Sequence, residues 1–128
     1  MRLLLDTATF IYAVETPERL SKRAIAVLEN PGNILEFSAI SVTEIAIKAS
    51  LGKLKLTAAT ARQAVQDLDI RILPYTGEHA LRLFELPLHL HHGDPFDRQI
   101  IAQALAEKIP VVTPDEKFRL YSGLKIIW

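Results

Sequence analysis

The sequence predicts an α/β fold: a three-layer α/β/α sandwich around a short parallel sheet of about four or five strands. Three observations predict it. Short apolar runs alternate with helical patterns along the whole chain. The apolar runs lack the in–out alternation of a half-exposed strand, so both faces of the sheet are covered. Capping residues and turn clusters separate the runs at the short spacing of βα units. The 128 residues match the size of one domain, so a single domain over 1–128 is expected.

Leu3 to Leu5 form an all-apolar run ended by Asp6, the pattern of a buried strand. Thr7 to Val14 reads as a short helix, and Pro17 starts the next helix at its favoured first-turn position. Leu20, Ala24, Val27 and Leu28 give that helix an apolar face, and Asn30-Pro31-Gly32-Asn33 ends it. Ile34 to Ser38 is the second strand. Ser41 to Leu51 is a helix closed by Gly52, and Ala61, Ala64, Val65 and Leu68 line another. Ile70 to Leu73 is the third strand, and Pro74 and Gly77 turn the chain into a helix carrying Ala80, Leu83 and Phe84. After an irregular stretch from Leu86 to Gly93 come a helix over 94–108 and a strand from Val111 to Thr113. A short helix from Glu116 to Tyr121 and a last strand from Lys125 to Ile127 complete the order.

Composition excludes several classes. Fifteen basic and fifteen acidic residues cancel, so no global field announces a nucleic-acid partner. With no cysteine there is no disulfide framework, thiolate nucleophile or Cys-type zinc site. MRLLLD reaches a charge too early for a secretory signal, and no apolar run approaches the roughly 18 residues of a membrane span. A soluble cytoplasmic domain with no membrane contact is the expectation.

The chemistry lies in the carboxylates. Asp6 directly follows the first strand, and Asp115 comes two residues after Thr113. In open parallel sheets ligands bind at the carboxyl ends of the strands. Ser41 and Glu44 fit a capping box, and Asp94-Pro95-Phe96-Asp97 fits a capped helix start. Yet Asp97 shares a helix stripe with Ile100, Ile101 and Ala104, and Glu44 shares one with Ile47 and Leu51. Acids on an inward face are costly unless paired or bound to a cation. All four sit where strands end or helices begin, which gathers them at one rim. Oxygen ligation without a histidine or cysteine partner suits Mg²⁺ or Mn²⁺. Thr7, Ser41, Thr43 and Thr113 flank the acids and are placed to orient carboxylates or hold metal-bound water.

LLLDT at the start, S-x-x-E after the second strand, DPFDRQIIAQALAEKIPVVTPD and the F-x-x-Y behind it resemble PIN-domain ribonucleases, and among them VapC-type toxins of toxin–antitoxin pairs. The resemblance runs from Leu3 to the last strand. It implies a PIN-like fold and an Mg²⁺- or Mn²⁺-dependent endoribonuclease acting on tRNA, rRNA or mRNA. Its acidic set, both catalytic and metal-binding, carries onto Asp6, Glu44, Asp97 and Asp115. Asp94 is then an accessory acid, Arg98 lies at the site's edge, and Thr7, Ser41 and Thr113 are supporting hydroxyls. Where many relatives carry His or Asn two residues after the first Asp, this chain has Ala8. The resemblance also implies a homodimer and a VapB-like antitoxin. The antitoxin's basic residue would meet the acids, and its apolar part would rest on the first two helices around Phe10, Ile11 and Leu20.

Other features have plainer readings beside functional ones. His89, His91 and His92 suit a polar loop, with His92 placed to touch RNA phosphate. Lys48, Lys53 and Lys55 suit a solvated face, with Lys48 and Lys53 as a weak RNA track. Phe10, Tyr12 and Trp128 suit core or interface. Two other classes compete. A receiver-type signalling domain wants paired acids after its first strand, a lone Asp after a middle strand and a Lys after the last. Asp6-Thr7, the absence of a lone Asp after Ile70–Leu73 and Lys125 at its strand's start all oppose it. A catalytically silent RNA-binding or scaffold domain has no use for a costly acidic cluster.

Overall fold

Leu3, Leu4 and Leu5 are fully buried and feed two separate cores. Leu3 and Leu5 join Phe10, Ala24, Leu35, Phe37 and Val112 on one face of the sheet. Leu4 joins Ile100, Ile101, Val111 and Phe118 on the other. A strand whose alternating side chains are apolar on both faces is stable only inside a covered sheet. Each such leucine contributes roughly 2 kcal/mol relative to exposure.

The computed structural model describes residues 1–128. Strands β1 (Arg2–Leu5), β2 (Ile34–Ser38), β3 (Ile70–Leu73), β4 (Val111–Val112) and β5 (Ile126–Ile127) form one sheet in the order β3-β2-β1-β4-β5. Every pairing is parallel: Leu3 faces Leu35, Leu5 faces Val112, and Val112 faces Ile127. Helices α1 (Thr7–Glu15), α2 (Lys22–Glu29) and α4 (Ala58–Asp67) supply residues to the first core. Helix α6 (Pro95–Glu107), packed with α5 (Gly77–Arg82), supplies the second. Helix α3 (Ala39–Ser50) contacts both α1 and α6. The three-layer α/β/α sandwich with five parallel strands is the predicted architecture.

The strand order decides where a site can form. From β1 the chain moves outward through β2 and β3, then returns to the opposite side of β1 for β4 and β5. The carboxyl ends of β1 and β4 therefore flank a topological switch point, where helices on opposite faces splay and leave a crevice. This order also separates the chain from a receiver domain, whose sheet runs 2-1-3-4-5.

Several local expectations are corrected. Pro17 opens a short 3₁₀ turn, Pro17–Arg19, and α2 starts only after Ser21, whose hydroxyl accepts from Ala24 N. Helix α3 begins two residues before Ser41, capped by Ser38, so Ser41 and Glu44 form no capping box. The helix carrying Ala80 tightens into 3₁₀ at Leu83–Glu85, leaving Phe84 exposed. The segment after Asp115 is likewise 3₁₀, Glu116–Leu120. Not every strand is apolar on both faces. Glu36 is buried in β2, where Arg2 Nε donates to it at 2.9 Å and Arg2 Nη2 reaches Glu107 at 3.0 Å. This ion-paired cluster closes the sheet where its strands begin.

Candidate metal centre

Each acid reaches the rim by a different local device. Asp6 is the N-cap of α1: its Oδ1 accepts from Thr9 N at 2.8 Å, while Oδ2 accepts the Thr113 hydroxyl at 2.5 Å. Thr9 in turn donates its own hydroxyl to Val112 O at 2.8 Å, fixing α1 to the end of β4. Asp115 caps the 3₁₀ turn by accepting from Lys117 N, and its own N–H is held by Thr113 Oγ. Asp94 caps α6 by accepting from Asp97 N, with Pro95 at the first helical position. Capping is thus the real local role of Asp6, Asp94 and Asp115. Asp97 and Glu44 have no such role.

Asp97 lies one turn before Ile100 and Ile101 and two turns before Ala104, all fully buried, so its stripe faces inward as the sequence predicts. For Glu44 that reasoning fails, because Ile47 and Leu51 are 45% and 64% exposed. Glu44 is nevertheless buried. Its Oε1 accepts the Thr7 hydroxyl at 2.6 Å, and its Oε2 pairs with Lys48 Nζ at 3.0 Å.

The structure brings Asp97, Asp115 and His92 together, with potential ligand atoms all within 4.8 Å of one another. Asp6 adjoins them. Burial raises the Asp6 carboxyl from 3.8 to about 6 against the pull of the Thr113 and Thr9 hydrogen bonds, with the Asp115 charge adding to the rise. Asp97 also rises to about 6, first through burial, then through the charge of Asp94, with Asp6 contributing and His92 opposing. Desolvated acids that repel one another are a pocket short of positive charge. Glu44 is not among the converging ligand atoms; its carboxylate is held by the hydroxyl of Thr7, the residue after Asp6, and by Lys48, which neutralises part of its charge.

His92 corrects two expectations. It is 3% exposed, with Nε2 at 3.1 Å from Asp97 Oδ2 and Nδ1 at 2.8 Å from the Tyr121 hydroxyl, so no edge remains for an RNA phosphate. An imidazole also stands where the sequence suggests oxygen atoms alone. The F-x-x-Y spacing is the signal that could have found it: Phe118 and Tyr121 pack against the ring from one turn. Arg98 touches no acid; it donates to Pro87 O and to the Tyr121 hydroxyl. Lys53 and Lys55 are exposed beyond α3, without ion pairs to the acids. Ser41 Oγ is buried without a partner, one helical turn before Glu44. Phe10 is buried and stacked on Phe37 at 4.3 Å, and both rings line an open apolar groove. That groove, about 820 Å³, lies between α3 and α4 and is also lined by Val42, Ile45, Ala46, Ala61 and Val65.

The family model described as PIN domain matches residues 3–124. No curated protein matches the chain in sequence. Among solved structures, it is similar to VapBC2 from Rickettsia felis bound to a promoter DNA fragment, at 21% identity over 98% of this chain and 97% of that one, TM-score 0.75. It is similar to DNA-bound VapBC from Salmonella typhimurium, at 18% identity over 98% and 96% of the two chains, TM-score 0.68. It is also similar to VapBC-5 from Mycobacterium tuberculosis, described as a member of the VapBC family of toxin–antitoxin systems, at 20% identity over 98% and 96%, TM-score 0.62.

Proposed function

The chain belongs to the PIN domain family, and from that premise we propose that it is a metal-dependent endoribonuclease, the toxin of a toxin–antitoxin pair. One observation carries the reading: desolvated carboxylates, two of them held near 6, converge with a histidine at the sheet's switch point. Capping accounts for Asp6 and Asp115 singly, but not for the inward-facing Asp97 set beside them.

The donor set fits a hard divalent cation. Asp97 and Asp115 would hold Mg²⁺ or Mn²⁺ with Asp6, and Glu44 would act on the same group from α3. Such an ion, when bound, lowers the pKa of its water and offsets charge on the phosphate. The chain's own residues do the orienting. The Thr113 hydroxyl fixes Asp6, and the Thr7 hydroxyl fixes Glu44, so neither carboxylate is free to rotate. Lys48 reduces the repulsion that Glu44 adds and leaves a cation beside the path of the RNA backbone. Ser41, buried and unpartnered, has a hydroxyl available for an ordered water. Asp94 remains an accessory acid that keeps the first turn of α6 in place.

The partner in this reading is a VapB-like antitoxin, by likeness to the VapBC assemblies, and the toxin is a homodimer. A basic antitoxin side chain would find carboxylates ready for charge-assisted hydrogen bonds. The groove between α3 and α4, which Phe10 helps to line, would take its apolar part. No helix is long and apolar enough to cross a membrane, and the reading assigns the protein to RNA in the cytoplasm. Expressing the chain alone in a bacterium should arrest growth, and co-expressing the adjacent small gene should restore it. Unimpaired growth with the intact protein accumulating would refute the toxin assignment.

A further inference from the structure

The loop from His89 to Asp94 carries a histidine that the acidic set does not explain. His92 is buried, and both ring nitrogens are engaged: Nδ1 with the Tyr121 hydroxyl and Nε2 with Asp97 Oδ2. The hydrogen positions follow from the network. Arg98 Nη1 can only donate, so the Tyr121 oxygen accepts from it at 3.2 Å. The Tyr121 proton then has two acceptors in reach, His92 Nδ1 at 2.8 Å and His92 O at 3.5 Å, and the shorter contact takes it. A neutral imidazole accepting at Nδ1 carries its hydrogen on Nε2, and a charged imidazole carries one there as well. In either form Nε2–H donates to Asp97.

We propose that His92 is a positioning residue for Asp97, held by an Arg98–Tyr121 relay that keeps its Nε2–H on Oδ2 and leaves the other lone pairs of Asp97 for the metal. Proximity alone would make His92 a third metal ligand beside Asp97 and Asp115. The hydrogen-bond network decides against that, because a protonated nitrogen has no lone pair to give. Tyr121 is well placed to hold the ring. It is 2% exposed and meets His92 edge-on at 5.4 Å between centroids, so the ring holds its hydroxyl beside Nδ1. Arg98 is anchored independently by Pro87 O at 2.8 Å. The relay ties the irregular 86–93 loop and the C-terminal segment to one carboxylate of the centre. Outer partners of this kind change metal affinity by about 10- to 100-fold when removed.

This inference rests on the metal-nuclease reading, and its test separates the two. Long-range ¹H–¹⁵N correlation spectra of the labelled full-length protein report which His92 nitrogen is protonated. Nε2 should carry hydrogen in metal-free protein and retain it at saturating Mg²⁺. Loss of that hydrogen on adding Mg²⁺ would make His92 a ligand and overturn the proposal. Mn²⁺ affinity, read by electron paramagnetic resonance, should fall about tenfold in Tyr121→Phe and His92→Leu. In His92→Gln, whose amide nitrogen still donates, it should stay within about threefold. Unchanged affinity in Tyr121→Phe, which keeps the ring and loses only the hydroxyl, would also overturn the relay. If the wild-type protein binds no Mn²⁺, the nuclease reading fails, and protonation in the metal-free spectrum still decides the relay.

Discussion

Asp6→Asn should make the metal-free protein more stable at neutral pH. Folding raises the Asp6 carboxyl from 3.8 to about 6, chiefly by burial. The folded state therefore holds the proton more tightly than the unfolded chain, and stability falls as pH climbs through that window. The cost is absent below about pH 4 and complete above about pH 7, where it amounts to at most about 3 kcal/mol. Asparagine keeps an oxygen for Thr9 N and removes the charge; part of the gain is lost where the Thr113 hydroxyl must re-pair. A net gain of roughly 1–2 kcal/mol remains, raising the melting midpoint by about 5 °C. Because Asp6 and Asp97 repel each other, the gains from Asp6→Asn and Asp97→Asn should not add. The assay is urea unfolding of both proteins in chelator at pH 4.5 and pH 7.5. The reasoning fails if Asp6→Asn is destabilised at pH 7.5, or if the difference is the same at both pH values. Either result would make the charged carboxylate a structural cap and no more.

Divalent metal should reverse the order: Mg²⁺ or Mn²⁺ at about 100 times its dissociation constant should add about 2.7 kcal/mol to the wild type and little to Asp6→Asn, as seen by thermal shift. Lys48→Met should tighten Mn²⁺ binding by about two- to fivefold in a titration, because a half-exposed cation paired with Glu44 opposes a second one by under about 1 kcal/mol. Arg2→Met should cost roughly 2 kcal/mol in urea unfolding, below the roughly 3–5 of a fully buried pair, because the Arg2 side chain is 38% exposed while that of Glu36 is 8%.

The element order was legible because both strong signals were present: the apolar run of Leu3 to Leu5, which two cores bury, and the Asp94-Pro95 start of α6. What misled was local chemistry that fits two registers. Ser38 and Ser41 both precede helix-forming residues, and Ser38 took the cap because β2 ends there. Periodicity placed Asp97 correctly, since its stripe reaches a real core. It placed Glu44 for the wrong reason, because Ile47 and Leu51 face solvent; the Lys48 pair follows the ordinary i,i+4 spacing, but the Thr7 contact, 37 residues away, does not show in any spacing. Glu36 breaks the apolar run of its strand, and the structure supplies its counter-charge from Arg2, one strand away. For His92 the F-x-x-Y spacing marks the two rings that pack on it, but Tyr121 lies 29 residues away and only the fold joins them.

Asp6, Glu44, Asp97 and Asp115 are proposed to serve one divalent-metal centre for RNA hydrolysis. Single-turnover cleavage of a mixed tRNA and rRNA pool, by purified protein freed of any partner, tests it most directly. Wild-type protein should cut with Mn²⁺ or Mg²⁺ and stop in chelator. Asp97→Asn should lose about 10²-fold or more at the same metal concentration while remaining folded. Cleavage by Asp97→Asn at the wild-type rate, or cleavage that persists in chelator, would show that these carboxylates hold no catalytic metal.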